Sequence, residues 1–157
     1  MTHTTFSLSI PAMKTRLTML AGVIALGLSL QTMAFAETTN DAVYQGLGQK
    51  EGIARFVQDF VEIITTDHRI SAAFAETDKE RLGFMLTEQF CELSGGPCKY
   101  SGKDMSTAHQ QMHITNAQFN ALAEDLQIAM DKHGVASSVQ NKLIAKLAPM
   151  QRAVVTK

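Results

Sequence analysis

The residue best placed to do chemistry in this chain is a histidine. Upstream of His109 the run Gly95-Gly96-Pro97 cannot continue a helix, and a short polar segment follows it. A few residues downstream, Thr115 opens a new helix. A histidine on a brief helical turn, between a loop and a helix start, can point its ring into a space enclosed by longer helices. An imidazole is offered to a haem iron in this way. The same placement equally suits an exposed or packed histidine on a connector, so the surroundings must decide.

Other chemistries find less support. His109 and His113 are spaced i, i+4, as a helical metal pair would be, but no third ligand or HExxH pattern accompanies them. No glycine-rich loop follows a strand, and no nucleophile-elbow sequence is present. Cys91 and Cys98 lie seven apart, which is not CxxC metal spacing. They are either a disulfide, which an oxidising compartment would permit, or two separate buried thiols. Of the nine methionines, Met1, Met13, Met19 and Met33 precede the domain, and most of the others fall on core stripes as filler.

The elements that must position His109 begin after a leader. Lys14 and Arg16 precede an apolar run from Leu17 to Leu30, a polar Gln31-Thr32 and the small-x-small exit Ala34-Phe35-Ala36. That order is a secretory signal, and the run is short for a membrane span. Cleavage is placed after Ala36, with Met1 or Met13 as the start. An uncleaved anchor is the alternative, and either puts the domain on the far side of a membrane, periplasmic or secreted. Residues 37–157 then form one domain. Removing Lys14 and Arg16 from the 14 basic residues leaves 12 against 15 acidic, a net of −3 with no basic block. Nucleic acid and anionic membrane surfaces are therefore poor partners.

Within the domain the hydrophobic period is helical throughout. A short helix is expected over Asp41–Leu47, stopped by Gly46 and Gly48. From Lys50 to Thr66, Ile53, Phe56, Val57, Phe60, Val61 and Ile64 form one apolar stripe. The chain turns through Asp67-His68-Arg69, and Phe74 sits in a connector. Thr77-Asp78-Lys79-Glu80 reads as a capping box opening a helix with the stripe Leu82, Met85, Leu86, Gln89 and Leu93. Gln89 is out of character there and is expected at the stripe's edge, since a buried amide needs a partner. A second box, Thr115 to Gln118, opens a helix carrying Phe119, Leu122, Leu126, Ala129 and Met130 and stopped at His133-Gly134. The last helix starts at Ser137 and should kink at Pro149. No strand pattern occurs, so the class is all-α.

In order and spacing, these residues resemble the group I truncated haemoglobins, small globins whose helices form a two-over-two sandwich around haem. The likeness rests on Tyr44-x-x-Leu47-Gly48, Asp59-Phe60, Phe74, Thr77-Asp78 with Arg81-Leu82, and Gly95-Gly96-Pro97 with Tyr100-x-Gly102. Met105, Ala108-His109, Ile114-Thr115, Phe119 and Leu147-Ala148-Pro149 complete it. The resemblance implies haem b with His109 as the iron ligand. It also implies Phe74 against the haem face and Thr77 and Arg81 near the propionates. Tyr100, Met105, Ile114 and Phe119 would line the pocket. On the distal side the chain departs from the family. Val61 stands where many relatives carry a tyrosine, and Leu82 and Leu86 where glutamine is often found. Gln89, one turn on, is a candidate substitute donor. Met85 lies 24 residues before His109, the spacing at which six-coordinate relatives place a second ligand, and His/Met ligation would raise the iron's potential.

The expected function is reversible binding of O2, CO or NO in an unusually apolar distal pocket, without turnover. The alternative is a redox protein (nitric oxide dioxygenase, peroxidase-like or electron carrier) served by an unidentified reductase. A monomer is expected.

Overall fold

The computed structural model describes residues 41–157; the leader and its cleavage point lie outside them. No strand occurs among the described residues, as the uniform helical period predicts. The elements are α1 (Ala42–Gly46), α2 (Gln49–Ile64), a 3-10 turn (Ser71–Phe74), α3 (Lys79–Leu93) and α4 (Met105–His109). They continue with α5 (Asn116–Lys132), α6 (Ser137–Leu147), a second 3-10 turn (Ala148–Met150) and α7 (Gln151–Val154).

Helix α2 is the spine. Its six predicted stripe residues are all buried, and Ile53, Phe56 and Ile64 are fully so. Each removes a large apolar side chain from water, worth about 1.5–3 kcal/mol. One side of α2 packs on α3 and another on α5. Phe90 of α3 stacks on Phe56 with ring centroids 6.2 Å apart and lies 6.3 Å from Phe60. Near the other end of the pair, a Cβ on Gly83 would sit 3.9 Å from Val61. As α3 runs from 83 to 90, α2 therefore runs from 61 back to 56, and the two helices are antiparallel. The α1–α2 corner turns at Gly48, whose left-handed φ of 77° suits glycine. Helix α6 returns along α5 after Gly134, at φ 68°.

Three local expectations need correction. The N-cap of α3 is Asp78, not Thr77: its Oδ1 accepts the Arg81 N–H at 3.0 Å, which places Glu80 one position too early to complete a box. Carboxylate and hydroxyl caps are near equals, so Thr-Asp leaves the register open by one residue. The Thr115–Gln118 box forms as expected, with both reciprocal bonds present. The last helix does not merely kink at Pro149. It breaks into a 3-10 turn and resumes as α7, because proline removes a donor and crowds the preceding turn. Gln89, expected at the stripe's edge, is buried.

Candidate functional site

His109 ends α4, a helix too short to be stable by itself. Its support comes from polar bonds around it. Asp104 caps the helix by accepting the Thr107 N–H at 2.9 Å, and these bonds from Thr107 hold its carboxyl below the usual 3.8. The loop from α3 to α4 is pinned by two acids on the last turns of α3. Glu92 accepts the Tyr100 N–H at 2.9 Å, which lowers its own pKa, and Glu88 accepts the Ser101 hydroxyl at 2.7 Å. Cys91 and Cys98 are joined, their Cα atoms 5.7 Å apart, tying the loop's first residues to α3. Gly96 lies against the Tyr44 ring, where a Cβ would come within 2.6 Å. From the other side the C-terminus closes in: the N–H groups of Thr156 and Lys157 donate to the Ile114 carbonyl at 3.0 and 3.2 Å.

The imidazole itself is oriented. His109 Nδ1 lies 2.8 Å from the Met105 carbonyl oxygen. A carbonyl can only accept, so Nδ1 carries a proton, and in the neutral ring Nε2 keeps its lone pair. This arrangement prepares a metal-binding histidine, since the bond fixes tautomer and ring direction together. After His109 the helix ends: Gln110 is extended, and Gln111 (φ 68°) and His113 (φ 53°) are left-handed. His109 and His113 therefore do not share a helical face, and their i, i+4 spacing makes no helical metal pair.

Across from this lies α3. Leu82, Met85 and Leu86 are each half-buried, and Leu82 and Leu86 pack on the core cluster. Val61, at the expected distal position of α2, is buried. Phe74 ends its 3-10 turn half-buried, and its carbonyl accepts the Thr77 N–H at 3.0 Å; Arg81 is exposed. Tyr100 is half-buried with its ring over Gly102, and its hydroxyl donates to the Lys103 carbonyl at 2.9 Å. Met105 and Phe119 are half-buried and Ile114 is buried. Gln89 points its amide at two thioethers, Met105 Sδ at 3.5 Å and Met150 Sδ at 3.8 Å. It thus joins α3 to the helix that holds His109. Several large apolar side chains on α3, α4 and α5 stay partly uncovered while the α2 stripe is sealed, which suits a flat apolar group between those elements.

Sequence reasoning missed three structural residues. Glu88 and Glu92 read as ordinary surface acids, yet they hold the loop. Asp125 sits on the inner face of α5, 2% exposed, with one oxygen 3.3 Å from Arg69 and the other, Oδ2, unpaired. Burial, then the nearby Asp67 carboxylate, push its pKa up, whereas Arg69 holds Asp67 down at about 2. A charged residue amid helical periodicity was the available signal.

The geometry agrees with comparisons to known proteins. Residues 42–156 match the family described as Bacterial-like globin. A group 1 truncated haemoglobin from Tetrahymena pyriformis is 31% identical over 100 residues, covering 64% of this chain and 83% of that protein. One from Mycolicibacterium paratuberculosis is 28% identical over 122 residues, 78% of this chain and 90% of the relative. The Fe(III) crystal structure of the T. pyriformis protein superimposes with a TM-score of 0.71 at 28% identity, covering 73% of this chain and 98% of that one. An all-helical domain with this element order, matched across nearly its whole described length, belongs to the bacterial-like globins and, among them, to the group 1 truncated haemoglobins.

Proposed function

We propose that this domain holds haem b through His109 Nε2 and binds a diatomic gas (O2, CO or NO) reversibly on the side facing α3. The observation that carries this reading is the 2.8 Å bond from His109 Nδ1 to the Met105 carbonyl, which fixes the ring and leaves Nε2 of the neutral imidazole its lone pair. Haem, when bound, supplies the coordination position for the gas. The chain supplies the rest. Phe74, Leu82, Leu86 and Phe119 offer apolar contact, Thr77 and Arg81 stand where the propionates would leave, and Tyr100, Met105 and Ile114 surround the α4 side. Val61, Leu82 and Leu86 give the gas no hydrogen-bond donor, so the reading favours a carrier or scavenger with fast release over a dioxygenase. Gln89, directed at Met105, is poorly placed to replace the missing donors.

Export is part of the proposal. The leader pattern of residues 1–36 supports it, and so does a disulfide, which persists in oxidising compartments. A redox reading rests on Met85, half-buried on the same stripe as Leu82 and Leu86. If Met85 is a resting-state ligand, Met85→Ala changes the ferric spectrum and speeds ligand binding; an unchanged spectrum and rate remove that role.

The test is an absorption spectrum of the ferrous protein with and without CO. A five-coordinate spectrum that converts fully on CO supports the proposal. A purified chain that takes up no haemin overturns it.

A further inference from the structure

Among the described residues two glutamines are buried, and their amides are served very differently. Gln140 of α6 donates from Nε2 to the Asp131 carboxylate at 2.6 Å and to the Val135 carbonyl at 2.8 Å, both strong acceptors. Gln89 of α3, 9% exposed, sends the same group toward two sulfurs, Met105 Sδ at 3.5 Å and Met150 Sδ at 3.8 Å. A thioether accepts weakly, so this buried donor is poorly matched where it stands. The two methionines come from α4 and from the 3-10 turn before α7, and each is half-buried. Met130, by contrast, is sealed at 0% exposure. A small solute can reach the first two and not the third.

Oxidation of an enclosed methionine ordinarily disrupts packing, because it puts a polar oxygen among apolar groups. Here a polar partner is already in place. A sulfoxide oxygen accepts strongly, methionine side chains adjust readily, and the Gln89 N–H can then donate to oxygen in place of sulfur. Met105 is the closer of the two, and its carbonyl accepts the His109 Nδ1 proton at 2.8 Å. A firmer bond from Gln89 to that residue ties α3 to the turn that orients the imidazole.

We infer that Met105 is a site of reversible oxidation, with hydrogen peroxide as the oxidant, and that the Gln89 amide donates to the sulfoxide formed. The sulfur lone pair attacks one peroxide oxygen, and the S–O bond forms as the O–O bond breaks. The departing hydroxide takes the proton from the transferred oxygen and leaves as water. Sulfur gives up two electrons and the peroxide gains them. The modification stands apart from the haem reading, whereas its effect through His109 rests on that reading.

The test treats the protein as purified, under CO, with hydrogen peroxide and follows each methionine by peptide mass spectrometry. Met105 gains one oxygen well before the sealed Met130, and methionine sulfoxide reductase with a dithiol removes it. A Met105 still reduced after the exposed Met112 is oxidised overturns the site. The urea midpoint tests the amide: oxidation leaves it unchanged or raised in wild type and lowers it in Gln89→Leu. An equal fall in both overturns the part given to Gln89. A second variant, Met105→Leu, is close in volume and keeps the test independent of how Gln89→Leu folds. Oxidised wild type releases haem to an acceptor protein roughly threefold more slowly, the effect of one net hydrogen bond, and Met105→Leu shows no slowing. Unchanged release in wild type overturns the link to His109. A chain that holds no haem contradicts the proposed function, while the mass and urea readings still decide the modification.

Discussion

The two sides of the space between α3 and α4 are built from opposite materials. The side carrying His109 is held by directed bonds: an aspartate cap, two glutamates of α3 that pin the loop, a carbonyl on the imidazole, a disulfide and the chain's own C-terminal residues. The facing side, Val61 with Leu82, Met85 and Leu86, is made of apolar side chains packed by area alone. Directional bonds cost alternatives and are useful where one atom must be aimed. A gas without charge needs only space. The difference teaches that, on the proposed function, this chain concentrates its geometric precision on one nitrogen and leaves the ligand side permissive.

That contrast can be broken from either side. The largest effect should come from adding a donor where none exists. Val61→Tyr places a hydroxyl on the distal side, and its bond to bound oxygen, about 1.5–3 kcal/mol, should slow oxygen release by one to two orders of magnitude in stopped-flow measurements. No slowing would mean that another group already donates. Next comes the loop. Cys98→Ser opens an eight-residue closure worth roughly 2.5 kcal/mol in the chain-entropy account, so the urea midpoint falls and haem is lost faster to an acceptor protein. Asp104→Ala removes one cap bond and should cost about 1 kcal/mol, again with faster haem loss.

The smallest effect is in the pH profile, where the two signs separate. Asp104 and Glu92 have folded pKa values below 3.8 and 4.5, so their stabilisation is full above those values and is lost as pH falls through the folded ones. Asp125 is raised, so it works the other way: stability declines as pH rises through its folded pKa and its carboxyl ionises in place. Asp125→Asn should abolish that decline in urea unfolding followed upward from about pH 4, leaving the acid limb intact. An unchanged profile would locate the titration elsewhere.

How far this was legible in the sequence follows the same division. Apolar faces obey a local period, so the stripe of α2 and the helix carrying Leu82 and Leu86 could be read directly. His109 was legible because glycine, proline and a capping box frame it. The bonds that aim it were not, because Glu88 and Glu92 find partners across a loop whose path no local pattern records. The end of α4 was also hidden: no glycine follows His109, and Gln111 and His113 take left-handed angles, uncommon for non-glycine residues although less so for histidine. Gln89 misled for a related reason. Its burial depends on two methionines, 16 and 61 residues away, that accept only weakly.

The most direct test of an aimed imidazole facing a donor-free pocket is the infrared stretch of CO bound to the ferrous protein, in wild type and in Gln89→Leu. The account predicts one high-frequency band, as in a pocket without donors, at the same position in both. A low-frequency band that rises in Gln89→Leu would contradict it, because the amide would then be donating to the ligand.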